Sequence, residues 1–100
     1  MTQSPAQDND GSVSRQLMII NKRGLHARAS AKFVQLVSGY DAAVEVEKDG
    51  VTVGGTSIMG LMMLAASPGC AISITARGHD AEAVVSALEE LVADRFGEEC

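Results

Sequence analysis

The sequence predicts an α+β open-faced sandwich, a four-stranded antiparallel sheet with three helices on one face and water on the other. Two observations carry this. Segments that alternate apolar and polar residues interleave with helical stripes in the order β-α-β-β-α-β-α, and each alternating segment offers only one apolar face. A chain of 100 residues holds one core, and no internal repeat divides it. One domain is therefore expected over 13–100, preceded by a flexible tail over 1–12.

The tail, MTQSPAQDNDGS, is polar, contains Pro and Gly, and has no apolar period. A strand is expected from Arg15 to Ile20 with Leu17 and Ile19 on one face, broken by Asn21-Lys22-Arg23-Gly24. From Ala27 to Ser38 the spacing of Ser30, Phe33, Val34 and Val37 marks one helix face, and Gly39 ends it. Val44 and Val46 alternate with Glu45 and Glu47, and Lys48-Asp49-Gly50 turns the chain into a returning strand at Val51 to Val53.

After Gly54 and Gly55, Ser57 suits the N-cap of a short helix over Ile58 to Leu64. Ser67-Pro68-Gly69 turns the chain again, and Ala71 to Ala76 forms a strand with Ile72 and Ile74 inward. A last helix is expected from Asp80 to Phe96, with Ala81, Val84, Val85, Leu88, Leu91 and Val92 on its buried stripe.

Charge narrows the function. The formal net charge of -5 gives no broad basic field, which argues against nucleic acid and anionic membrane as partners. Lys22, Arg23, Arg28 and Lys32 nevertheless fall in one stretch without a carboxylate, so a small anion has one obvious place to bind. The acidic end, Glu89 to Glu99, reads as a solvated helix face and tail. No signal segment or membrane-length apolar run is present, so a cytoplasmic, reduced protein is expected, which disfavours a Cys70–Cys100 disulfide. Neither a metal-ligand spacing nor a cofactor motif occurs.

His26 stands where a glycine-containing loop enters a helix. Unpaired N–H groups and the positive end of the helix dipole favour an anion there, and Arg28 adds a full charge. A phosphoryl group carried on the imidazole would be stabilised, and the same field favours the neutral, nucleophilic ring over imidazolium. The residues alone leave a capping or merely exposed histidine equally open. His79 has no second ligand near it in sequence and reads as exposed or capping. An acid–base enzyme built on His26 is disfavoured for want of a carboxylate paired with it in the sequence.

Gly24-Leu25-His26-Ala27-Arg28 followed by Ala29-Ser30-Ala31 resembles the phosphorylation-site signature of the histidine-containing phosphocarrier family, HPr, usually G-L-H-A/T-R-P-A. Thr56 to Met62 (TSIMGLM) resembles that family's second signature, around its regulatory serine. The resemblance spans Arg15 to Phe96. It implies that His26 accepts phosphoryl through Nδ1 from phosphorylated enzyme I and passes it to enzyme IIA-type domains, with Arg28 stabilising the phosphate. It implies no catalyst with turnover, no cofactor, a monomer, and Ser57 as the site of an HPr kinase/phosphorylase where the cell has one. It further implies a partner-binding patch of Ala27, Ala31, Gln35, Ile58, Met59 and Met62, with Leu61 and Leu64 turned inward. Action as a regulatory module of the nitrogen-related branch, without sugar transport, is the alternative. One departure is Ala29, where the family usually has proline; alanine keeps a backbone N–H that can face the phosphate.

Overall fold

The computed structural model describes residues 11–98. Its elements are β1 (Ser12–Met18), α1 (Ala27–Ser38), β2 (Ala43–Lys48), β3 (Val51–Gly54), α2 (Ile58–Met63), β4 (Ala71–Arg77) and α3 (Ala81–Ala93). The strands form one antiparallel sheet in the order β1-β4-β2-β3, with Leu17 opposite Ile72 and Val46 between Ile74 and Val53. Ile72, Ile74 and Ala76 alternate inward along β4 and are fully buried against the helical layer. On the open face, Ser14 and Thr75 exchange a 3.1 Å hydroxyl hydrogen bond between β1 and β4.

Local chemistry explains the ends. The β2–β3 turn needs two residues of positive φ to follow the strand twist, and Asp49 (54°) and Gly50 (85°) supply them. On α1, Ser30, Phe33 and Val37 are buried as the spacing predicts, while Val34 is half-buried and Ala29 joins them at the crowded end. Gly39 ends α1 with φ of -86° rather than turning left-handed, its N–H donating to the Leu36 carbonyl and the Tyr40 N–H to that of Val37.

Three of these boundaries differ from expectation by more than one residue. The first strand begins at Ser12, because pairing runs to the end of β4, where Ser12 faces Arg77. Ser12 is therefore a buried strand residue and not part of a tail; residues 1–10 of that segment lie outside the described residues. The same strand stops at Met18; Ile19 remains bonded to the turn before β4 through Cys70 O (2.9 Å) and the Gly69 N–H (2.8 Å). At the other end α3 stops at Ala93. Arg95 and Phe96 turn left-handed, with φ of 56° and 55°, which buries Phe96 completely. Two such non-glycine residues cost about 2 kcal/mol at the low end. Burying a Phe side chain offsets about 1.5–3 kcal/mol, and Lys32 Nζ adds a 2.7 Å hydrogen bond to the Phe96 carbonyl. This reversal brings the chain end back over the start of α1.

Candidate functional site

The loop before α1 is fixed by glycine geometry. Gly24 has φ of +63°, and a Cβ there would lie 2.2 Å from the Ala66 carbonyl oxygen. That close approach lets Leu25 N–H bond the same oxygen at 3.0 Å, so the loop is pinned to the segment after α2. Asn21, fully buried, donates its amide to the Gly24 carbonyl at 2.8 Å. Ser30 Oγ closes the loop from the helix side on Leu25 O.

His26 is the N-cap of α1. Its backbone is extended, and its Nδ1 accepts hydrogen bonds from Arg28 N (3.1 Å) and Ala29 N (3.4 Å). A ring nitrogen that accepts carries a lone pair and no proton. The proton of the neutral ring therefore sits on Nε2, which meets Glu98 Oε2 at 2.5 Å. Nδ1 is left unprotonated, aimed at the positive end of a helix whose first turn contains no acidic residue.

Glu98 was not expected here. The acidic chain end is not all solvated tail: Glu98 is 15% exposed and His26 21%, and the paired carboxylate that the sequence lacks near His26 arrives from 72 residues away. Burial alone would push the Glu98 carboxyl up. Hydrogen bonds from Asn21 (3.2 Å) and His26, with the charge of Arg23, outweigh it and hold the carboxyl below its ordinary value. Asn21 was read only as a strand breaker, and neither it nor Glu98 carries a sequence signal that would have found the pair.

The Arg28 side chain is exposed and makes no hydrogen bond or ion pair among the described residues, so no protein group occupies its guanidinium. Ala29 is buried with its N–H on Nδ1; proline would remove that donor. Ala27 and Gln35 are exposed and Ala31 is half-buried.

At the second motif, Ser57 caps α2 through its Oγ, which accepts from Gly60 N at 2.9 Å. Helix α2 packs on α1, with Leu61 and Leu64 buried beneath it. Ile58 (40% exposed), Met59 (72%) and Met62 (43%) face outward, joined by Met63 (75%), which sequence reasoning did not single out. His79 is exposed, and Cys70 is a free thiol while Cys100 lies outside the described residues. Among the described residues no His, Cys, Asp and Glu side chains cluster to hold a metal, and no helix is long and apolar enough to cross a membrane.

Comparison with known proteins agrees with this geometry. A family model for the PTS HPr component phosphorylation site matches residues 13–94. The chain is similar to phosphocarrier protein HPr of Cupriavidus necator, 45% identical over 86 residues that cover 86% of this chain and 97% of that protein. It is also similar to phosphocarrier protein NPr of Shewanella violacea, at 37% over 86 residues, 86% and 94% of the two chains. The crystal structure of HPr from Thermoanaerobacter tengcongensis superposes with a TM-score of 0.84 at 42% identity, over 88% of this chain and 99% of that one. With an unprotonated imidazole nitrogen at a cationic helix start and these matches along nearly the whole fold, the chain belongs to the HPr family of phosphocarrier proteins of the phosphotransferase system.

Proposed function

We propose that Nδ1 of His26 is the phosphoryl acceptor, loaded by phosphorylated enzyme I and unloaded to enzyme IIA-type domains. The observation that carries this reading is the hydrogen-bond pattern of the ring: Nδ1 holds its lone pair between two backbone donors, Arg28 N and Ala29 N. In the step, that lone pair attacks phosphorus, the donor's bond to phosphorus breaks, and its electron pair returns to the donor. The two N–H groups then turn from the ring to phosphoryl oxygens, and Arg28 supplies the full positive charge. The protein is a stoichiometric carrier, returned unchanged once the phosphoryl group leaves, and one copy contains every group the step uses.

Partners dock on the exposed apolar surface of α2, Ile58, Met59 and Met62, bordered by Ala27, Ala31 and Gln35. Soft methionine side chains suit a surface that meets several partners in turn. Ser57 is a regulatory phosphorylation site for an HPr kinase/phosphorylase. A phosphate there adds about -1.5 to -2 charge beside that surface, and Ser57 is an exposed residue.

The test is transfer from phosphorylated enzyme I, followed as acid-labile phosphate. Wild type should be labelled stoichiometrically and His26→Ala not at all; a labelled Ala variant overturns the assignment. The likeness to a phosphocarrier named NPr supports a second reading, service in the nitrogen-related branch. Onward transfer to a nitrogen-regulatory acceptor in preference to a sugar-specific IIA domain would decide for it.

A further inference from the structure

The far side of the His26 ring is built as carefully as the near side. Nε2 meets Glu98 Oε2 at 2.5 Å, with both side chains largely covered. The other Glu98 oxygen accepts from Asn21 Nδ2 at 3.2 Å. Asn21 is fully buried and directs the same nitrogen to the Gly24 carbonyl, in the loop that sets His26. Its Oδ1 accepts no hydrogen bond from the described residues, which is unfavourable for a buried acceptor. The amide is thus oriented toward Glu98 and the loop at the expense of its own oxygen. The chain carrying Glu98 is itself held, by buried Phe96 and by Lys32 Nζ on the Phe96 carbonyl.

We propose that Glu98, anchored by Asn21, is a positioning residue for phosphoryl transfer: it keeps the proton on Nε2, so that the lone pair stays on Nδ1, and it balances the ring charge that forms when Nδ1 bonds phosphorus. This rests on His26 being the acceptor. Before attack the ring is neutral, with H on Nε2. After attack it has an N–P bond at Nδ1, keeps H on Nε2, and is positive. A carboxylate at hydrogen-bond distance favours that charged product over the neutral reactant. Among the described residues, Arg23 acts on Glu98 through its charge, Arg28 stands two residues after His26 and Lys32 holds the Phe96 carbonyl, and these cations act in the opposite sense on the ring. Glu98 therefore acts with the two backbone donors on Nδ1 to set which nitrogen reacts, and its charge sets how strongly the phosphoryl group is retained.

Glu98→Gln keeps the size and an acceptor oxygen but removes the charge. The nitrogen-15 shifts of the His26 ring, read on unphosphorylated protein at pH 8, report which nitrogen carries the proton, whether or not His26 is the acceptor. On phosphorylated protein, the pH profile of phosphohistidine hydrolysis reports protonation at Nε2. Wild type should be almost wholly Nε2–H. Glu98→Gln should show a mixture of the two tautomers and a hydrolysis profile moved about one pH unit toward acid. If Glu98→Gln fails to fold, Glu98→Asp, which keeps the charge but sets it back, should move both readouts the same way by less. Unchanged tautomer and profile without the Glu98 charge would reduce Glu98 to a tether. Failure of wild type to label His26 would instead overturn the carrier reading, and the two failures are read from different samples.

Discussion

The starts of α1 and α2 use one backbone device for two kinds of chemistry. Each helix begins on a side chain in extended conformation that accepts hydrogen bonds from the first-turn N–H groups: His26 Nδ1 at α1, Ser57 Oγ at α2. At α1 the cap is also gripped from behind by Glu98, sits on a loop locked by Gly24, and has cations around it. At α2 the cap is exposed, has one donor and no ion pair, and is followed by outward Ile58, Met59 and Met62. A helix N-terminus by itself is ordinary. What separates the two caps is that His26 has a second, ionic partner on the far side of its ring and Ser57 has none.

The comparison breaks most visibly at the loop. Gly24→Ala places a Cβ on the Ala66 carbonyl at a left-handed φ and should destabilise by about 3 kcal/mol or more, measured by urea unfolding. A loss below 1 kcal/mol would show that the loop does not fix His26. Arg28→Ala should leave the melting temperature within a few degrees and slow phosphoryl transfer at least about tenfold, the worth of one charge-assisted hydrogen bond. Unchanged transfer in both directions would make Arg28 a solvated surface charge.

At α2 the effects should be smaller. Ser57→Ala should cost about 1 kcal/mol, the usual worth of an N-cap, with His26 still phosphorylated. Ser57→Asp should keep the cap and weaken loading by enzyme I partially, through docking, and salt should recover part of the loss because exposed charges are screened beyond about 10 Å at 0.1 M. Identical concentration dependence of loading for wild type and Ser57→Asp would leave Ser57 a cap only.

The smallest effect is in acid. The Glu98 carboxyl lies below its ordinary value in the folded protein. Its contribution to stability is therefore complete above the unfolded value and disappears as pH falls through the depressed one. Wild type should lose stability relative to Glu98→Gln only in that acid window; parallel stability curves through it would contradict the pairing.

Much of the fold was legible because its periods are local. The i, i+3, i+4 spacing and the bordering Gly39 define α1 over Ala27–Ser38, as the structure has it. The ends of β1 and α3 were not legible, since pairing with β4 carries β1 back to Ser12 and the burial of Phe96 reverses the chain after Ala93. The site divides in the same way. His26, Arg28 and Ser57 stand in contiguous motifs, whereas Glu98 reaches His26 from 72 positions away by way of three left-handed residues, Arg95, Phe96 and Gly97. In a row of acidic residues, no pattern marks the one that folds back.

The central claim is that phosphoryl is carried on Nδ1 of His26, and the direct measurement is phosphorus-31 and nitrogen-15 NMR of the protein loaded by enzyme I. The account predicts one phosphohistidine signal, with phosphorus coupled to Nδ1 of His26 and Nε2 still bearing its proton. Phosphorus bonded to Nε2, or carried on His79, would contradict it.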